Sequence, residues 1–378
     1  MKYDYIFSGL GLSAMMIIIK MVEGGILLDK NILIIEPDDK NLNDRTWCFW
    51  EEDNGDWDII VKHKWSKAFF KNEFVTIDCL NGSFYKMIES KSFYDYYKKI
   101  TEDYNIEWIK DKVISFEEEN DSVIVKTQGK NYLGAYLFNS ILDYDLLSKQ
   151  KKYSLLQQHF VGWFVRSKRK LFTPQEALFM DFSVAQKGNT RFMYVLPISE
   201  NEALIEYTLF SPEVLGYEDY ELEIKSYLND LNIETFEIVS KEKGNIPMTT
   251  YPFWKRNTKR ILNIGTAGGW TKASSGFTFS NSDRESKKVV RFLNEKVIDF
   301  RKFKKSNRFT FYDDLFVDVL HRKNFLGEQI FSSMFTKSDP KLILKFLDEK
   351  TSVLEDFRVI LSCPKKEFLK SFFRRIFK

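Results

Sequence analysis

The first 36 residues change texture four times. Tyr3-Asp4-Tyr5-Ile6-Phe7-Ser8 is short and largely apolar and reads as a strand. Gly9-Leu10-Gly11-Leu12-Ser13-Ala14 follows, and an apolar run from Ala14 through Val22 reads as a helix. Gly24-Gly25 breaks that run, and Asn31-Ile32-Leu33-Ile34-Ile35 reads as a second buried strand ending on Glu36. Strand, glycine turn, helix, strand and terminal acid, in that order, predict a dinucleotide-binding βαβ unit.

Farther along, Phe93, Tyr96, Tyr97 and Ile100 recur at helical spacing within 89–100. Strands are predicted at 107–109, 112–116, 122–127 and 136–141, with the acidic stretch 117–121 as a hairpin tip. From Leu155 the pattern becomes strand-rich, with candidates at 159–165, 178–182, 191–197 and 203–209, closed by an amphipathic helix over 217–231. A further strand, Ile261-Leu262-Asn263-Ile264, precedes Gly265-Thr266-Ala267-Gly268-Gly269-Trp270 and a polar helix reaching about Leu293. The last hundred residues read as helices.

These elements predict an α/β plus antiparallel-β architecture. A discontinuous Rossmann-like dinucleotide-binding domain occupies 1–80 and 256–300, and a mixed helix and meander segment, 81–152, belongs largely to it. An inserted sheet domain spans 153–255, and a helical region 301–378. In the terminal segment 365–378, Phe368, Leu369, Phe372, Phe373, Ile376 and Phe377 fill one half of a helical wheel. Lys370, Arg374, Arg375 and Lys378 fill the other. That pattern predicts either a helix lying on an anionic membrane surface or one docked on the protein's own core.

The residue types in the glycine turn suit a pyrophosphate. Gly9 allows the tight turn, Gly11 lets backbone approach the phosphates, and small Ala14 lets helix and strand pack closely. The helix N-terminus offers N–H groups and positive potential. Glu36 is placed to accept hydrogen bonds from a ribose. Gly265, Gly268, Gly269, Ser275 and Gly276 offer backbone N–H groups at a second strand end. Arg45, in Asp44-Arg45-Thr46-Trp47, either reaches back to the cofactor or pairs with a nearby carboxylate.

Composition narrows the classes. The 378 residues are 44% hydrophobic and 29% charged with a net charge of +3, which gives no support to nucleic-acid binding. Three cysteines and three histidines are scattered, so neither a disulfide framework, a metal cluster nor a Ser/His/Asp triad is expected, and a reduced cytosolic compartment is the simplest reading. The N-terminal apolar run lacks a signal-peptide cleavage region, and no run of 18 apolar residues predicts a membrane span.

Taken together, several passages resemble the bacterial FAD-dependent lycopene β-cyclases, within the flavoprotein group that also holds aromatic hydroxylases and geranylgeranyl reductases. They are Gly9-x-Gly11-x-x-Ala14, Asp44-Arg45-Thr46-Trp47, Gln158-His159-Phe160-x-Gly162-Trp163, Met180-Asp181-Phe182-x-x-x-Gln186 and Phe192-x-Tyr194-Val195-Leu196-Pro197. Leu204-Ile205-Glu206-x-Thr208, Ile246-Pro247-Met248-Thr249 and Gly265-Thr266-Ala267-Gly268-Gly269 with Ser275-Gly276 complete the set. The resemblance implies FAD, active when reduced, with NAD(P)H as reductant, and lycopene or a related acyclic carotenoid as substrate. It makes Glu206 the essential acid of a non-redox cyclisation of ψ-ends to β-rings. Asp181 is either a supporting acid or a strand-end residue. Tyr207 stands where some relatives carry a second acid, and Gly265-Thr266 where many flavoproteins have Gly-Asp. Tyr194 and the faces of Trp163 and Trp270 are candidates to line the substrate site and stabilise a cation. Peripheral attachment to the inner face of the cell membrane is expected, with other carotenoid-pathway enzymes as possible partners. A redox flavoenzyme acting on an isoprenoid (hydroxylase, epoxidase or prenyl reductase) and a non-catalytic carotenoid carrier are the competing readings.

Overall fold

A computed structural model describes residues 2–304 and 306–377. Its first sheet is built on strand Lys2–Ser8, which pairs in parallel with Ile32–Ile35 on one side and Asn131–Asn139 on the other. Ile106–Ile109 extends the sheet beyond Ile32–Ile35, and Ile261–Asn263 adds to the C-terminal half of Asn131–Asn139, both in parallel. The antiparallel hairpin Val113–Glu119 and Ser122–Thr127 closes the far edge. All four residues of Ile32–Ile35 are buried, which a strand interior to a parallel sheet requires because both faces are covered. Helix Leu12–Glu23 is buried from Leu12 through Met21, since it is wedged between this sheet and helix Phe279–Leu293.

The second sheet runs Glu237–Met248, Leu156–Arg166, Glu202–Ser211, Thr190–Pro197, Glu176–Asp181, Lys67–Lys71 and Thr76–Asp78. Its last two strands come from the first 80 residues, so the expectation that 1–80 belongs wholly to the dinucleotide domain is corrected. The chain leaves that domain after the small sheet strand Thr46–Glu51, contributes an edge to the inserted sheet, and returns through Phe84–Glu89. One face of the large sheet is covered by helix Tyr217–Asp230. The other faces the helical region, where Arg308–Arg322, Gly327–Lys337, Pro340–Leu347 and Val353–Ser362 share one apolar core with it. With both faces covered, Thr190–Pro197 is buried along its whole length and Glu202–Ser211 along all but its first residue.

The terminal helix, Lys365–Ile376, docks by its polar side. Ser371 is its one buried residue; its hydroxyl donates to Asp318 Oδ2 at 2.8 Å, and Arg374 Nη2 lies 2.7 Å from the same oxygen. Arg375 Nε lies 3.0 Å from Asp314. Arg374 and Arg375 therefore face the protein rather than an anionic surface, which corrects the expected division of that helical wheel; Lys378 lies outside the described residues. Among the described residues no helix is long and apolar enough to cross a membrane.

Candidate active site

The glycine turn and the third segment meet at one end of the parallel sheet. Gly9 has φ +88°, and a side chain there would run into Ser140 Oγ. Gly11 begins the helix with no side-chain cap and no acid in the first turn, and a Cβ at Gly11 would point into open space. The N-terminal N–H groups are thus free to meet an anion. Gly265, at φ +57°, brings the third segment against the same helix, where a Cβ would lie 3.1 Å from Ser13 Oγ.

A cavity of about 470 Å³ opens beside this junction, and Gly11, Ala14, Arg45, Gly265, Ser275 and Gly276 all line it. Gly9 and Glu36 sit behind its wall. The Glu36 carboxylate accepts from the backbone N–H groups of Leu10 at 2.8 Å and Asp38 at 3.0 Å, and Lys40 Nζ is 3.6 Å away. Arg45 is exposed, and its guanidinium donates to the Asp44 carbonyl at 2.6 Å. Gly268 and Gly269 do not reach the cavity. They close the tight turn Gly265–Gly268, with Gly269 at φ +70°, and border a separate cleft, so their expected cofactor contact is corrected to a turn-forming role.

The cavity runs from the glycine turn to a row of residues across four neighbouring strands. Strand pairing sets Tyr194 opposite Glu206, Glu206 opposite Gly162, and Gly162 opposite Glu242. Side chains in register on adjacent strands share a face, and Gly162 contributes none. The Glu206 and Glu242 side chains reach over it and hydrogen-bond to each other. Each carboxyl also accepts from a threonine, Thr208 Oγ1 to Glu206 at 2.6 Å and Thr46 Oγ1 to Glu242 at 2.7 Å. Burial pushes both carboxyls above the ordinary range, and repulsion from Glu242 raises Glu206 further. Two acids this close hold a proton between them, because both cannot ionise cheaply.

Gly162 is what allows the pair to form. A Cβ there would sit 2.8 Å from Leu204 Cδ1, 3.2 Å from Glu242 Cγ and 3.4 Å from Glu206 Cβ. Gly162→Ala is expected to push the carboxyls apart and lower turnover about 10- to 100-fold, by misplacing reacting groups, while flavin content stays unchanged. Turnover and flavin absorbance measured on the same preparation check this.

A second cavity, also about 470 Å³, lies between the large sheet and the C-terminal helices, with walls such as Phe179, Phe210, Phe316, Phe331 and Met334. It shares Tyr194, Ser275 and Phe277 with the first. A cavity of mixed polar and apolar lining and an almost wholly apolar one therefore adjoin beside Glu206.

Three sequence expectations are corrected here. Trp163 follows Gly162 on its strand, so it points to the opposite face and packs under helix Tyr217–Asp230 with Phe236. Trp270 is 1% exposed and belongs to the dinucleotide-domain core. Asp181 is fully buried away from both cavities, accepting from Lys71 at 3.0 Å, Tyr227 at 2.7 Å and the Ser183 hydroxyl at 2.6 Å. It ties Lys71, Tyr227 and Ser183 together and does not face either cavity. Glu242 was missed from sequence, as were Thr46 and Gly162 as parts of the pair. Gly162 did carry a signal, since an isolated glycine inside a strand marks a close approach.

The sequence profile described as lycopene cyclase protein matches residues 4–372. The chain belongs to the lycopene cyclase family. No curated protein matches this family member. Among solved structures, it is similar to a geranylgeranyl bacteriochlorophyll reductase-like protein from Thermoplasma acidophilum, with TM-score 0.63, 11% identity, and 98% of each chain covered. It is also similar to a triple mutant of a flavin-dependent brominase, with TM-score 0.57, 13% identity and full coverage of both chains. A halogenase in complex with phloroglucinol and FAD gives TM-score 0.59 at 9% identity, covering 96% of this chain and 86% of that one. At such identities these likenesses establish the fold, that of FAD-binding flavoproteins.

The cavity's own residues fit FAD. Besides the uncapped helix start and the Gly11 opening, Gln158 Oε1 and Ser275 Oγ are buried without a hydrogen-bond partner among the described residues, and both residues line the cavity. Buried polar atoms are rarely left so, and a polar ligand in the cavity would satisfy them. The Gly11 turn and helix start would hold the pyrophosphate and the Gly265 and Ser275–Gly276 segments the flavin end; Glu36, expected at the ribose, instead braces the turn through the Leu10 and Asp38 N–H groups.

Proposed function

We propose that this chain is a lycopene β-cyclase, an isomerase that converts the ψ-ends of lycopene to β-rings without net redox change. The observation that carries the reading is the Glu206–Glu242 pair, holding a proton where the cavity beside the glycine turn adjoins an aromatic-walled apolar one. Protonating an unactivated alkene calls for an acid that remains protonated near neutral pH in a dry site, and burial gives the pair that property.

Lying in the first cavity, Glu206 delivers the shared proton to the terminal double bond, and Thr208 holds its carboxyl in place. The neighbouring alkene closes on the resulting tertiary cation. The pair, now short of one proton, removes a ring proton and returns to its starting state, so atoms and electrons balance. Thr46 and Arg45 favour the charged form of Glu242 and Thr208 that of Glu206, so the pair is held ready for the single negative charge it carries while it shares one proton. Tyr194, Phe179 and Phe277 line the apolar cavity beside the pair, and their π-systems are the nearby groups suited to stabilising a cation. Reduced FAD, kept in that state by NAD(P)H, supplies further negative charge to the cation when bound.

The test is expression in a bacterial host that accumulates lycopene, with the pigments separated and weighed by mass spectrometry. The expected product has lycopene's mass and one or two β-rings. Unchanged lycopene beside abundant flavin-loaded protein would overturn the reading in favour of a redox flavoenzyme acting on another isoprenoid.

A further inference from the structure

One short segment, 272–277, divides the two cavities beside the carboxyl pair. Ser274 lines the apolar cavity, Gly276 the cavity at the glycine turn, and Ser275 and Phe277 line both. The segment closes on its own backbone. The Lys272 N–H donates to the Phe277 carbonyl at 2.9 Å, and the Lys272 carbonyl accepts from the Gly276 N–H at 2.8 Å. Gly276, at φ +72°, allows the tight return, and a side chain there would run into Gln158. Because the loop is closed at Lys272, whatever holds Lys272 also sets where the unpartnered Ser275 hydroxyl and the Gly276 backbone stand.

Lys272 is itself held by the helical region. It is 2% exposed although it carries a charge. Its ammonium lies 3.0 Å from Asp313 on helix Arg308–Arg322, and 3.3 Å from Glu349 in the loop between helices Pro340–Leu347 and Val353–Ser362. Glu349 has φ +61°, a conformation uncommon for a residue with a side chain. Its carboxylate accepts from Asn307 Nδ2 at 2.9 Å, and Arg284 of helix Phe279–Leu293 meets it at 3.3 Å. The Asp313 carboxyl also contacts Ser274, and burial pushes it above the ordinary range even beside the ammonium. A buried ion cluster is a poor source of stability, since apolar residues of similar size often hold a core together as well. What this one fixes is position, because the elements it reaches carry Phe311, Phe316, Phe346 and Leu347, which wall the apolar cavity.

We propose that Lys272 is a positioning residue of this active site: clamped by Asp313 and Glu349, it fixes the 272–277 segment so that the flavin cavity and the substrate cavity meet beside the carboxyl pair in one set geometry. The clamp acts through the segment's backbone, not on the reacting atoms. The inference rests on the cyclase reading for what fills the apolar cavity. Releasing the clamp displaces two things together: the Ser275 and Gly276 groups that face the cofactor cavity, and the Phe277 ring beside the pair.

The double variant Lys272→Met with Asp313→Asn tests the clamp. It removes one positive and one negative charge, so no buried charge is left unpaired, and Glu349 keeps Arg284 and Asn307. Fluorescence titration of the apoprotein is expected to show FAD bound about 5- to 30-fold more weakly, and the visible spectrum of the bound flavin should shift. With FAD saturating, lycopene turnover should stay at least about tenfold below wild type. The fall in stability with rising pH that the raised Glu206 carboxyl imposes should persist, because the pair itself is untouched. Arg374→Met is the control: it breaks an ion pair at 2.7 Å in the same helical region and lines neither cavity. It should lower the melting temperature and leave FAD affinity and spectrum unchanged. If the double variant does not purify folded, Glu349→Gln, which keeps the side chain's size and weakens one arm of the clamp, is read in the same way at the lower end of that range. A lowered melting temperature with wild-type FAD affinity, spectrum and turnover makes the cluster a scaffold only and overturns the proposal. Weakened and spectrally shifted FAD binding, in a protein whose wild type yields no cyclised product, keeps the clamp and removes the cyclase reading instead.

Discussion

Glu206→Gln is expected to lower cyclisation by about 10²- to 10⁴-fold, the range for removing a positioned general acid, while the protein still purifies with flavin. The amide keeps the size and can accept from Thr208, but it has no proton acidic enough for an alkene. Glu242→Gln should lower activity less than Glu206→Gln, because burial alone still raises the Glu206 carboxyl while the repulsion from Glu242 that raises it further is lost. The pair carries a stability signature independent of turnover. The Glu206 carboxyl is raised from 4.5 toward about 8 by burial and then by Glu242. Between those values the folded protein therefore binds more protons than the unfolded chain, and stability falls as pH rises through the window. Glu206→Gln should flatten that fall, so that its melting temperature relative to wild type is more favourable at pH 8 than at pH 5. A parallel pair of melting curves across the window would remove the coupled-acid assignment, whatever the activity.

Gly9→Ala is expected to weaken FAD binding by about 30- to 150-fold. The backbone there has φ +88°, and a methyl group would displace Ser140, whose hydroxyl donates to the Ser8 carbonyl at 2.8 Å. Without ligand the turn can relax to relieve the strain, but a pyrophosphate seated on the helix start requires the original shape. The strain, about 2–3 kcal/mol, is then charged to affinity. Gly25→Ala is the control. It also has a positive φ, 67°, with nothing within 4 Å of the added methyl, so it should cost stability and leave flavin affinity alone. Fluorescence titration of apoprotein with FAD reads both variants, and equal affinities would remove Gly9 from the cofactor site.

Local signals in the sequence were sufficient for the dinucleotide unit. Glycines, an apolar helix and two apolar strands within 36 residues are constrained by backbone sterics and by burial on both sheet faces, and both act over a few residues. The same holds for four strands of the inserted sheet, Leu156–Arg166, Glu176–Asp181, Thr190–Pro197 and Glu202–Ser211, whose apolar runs match the observed elements to within a few residues. The strands Lys67–Lys71 and Thr76–Asp78 were not legible, because both are short and the pairing that joins them to the large sheet, Lys67–Lys71 with Glu176–Asp181, spans more than a hundred residues.

The catalytic reading divides in the same way. Glu206 was marked by the family resemblance of its own segment, and Gly162 by its place inside a strand. Glu242 lies in a stretch, Glu237–Met248, whose charged residues give no apolar alternation to announce a strand, and only the register across Leu156–Arg166 sets it opposite Gly162. Trp163 and Asp181 erred for the converse reason: residue type suggested a role, and a side chain's face of the sheet, a matter of strict alternation, denied it. The composition of the terminal helix was plain in the sequence, but its orientation was not. Asp314 and Asp318, more than fifty residues upstream, draw its arginines inward and leave its phenylalanines outside. Sequence alone determined which elements form and which residues carry the chemistry's raw materials. Tertiary structure decided which of them meet, because pairing across strands and ion pairing between helices are set by distances in space that no local pattern encodes.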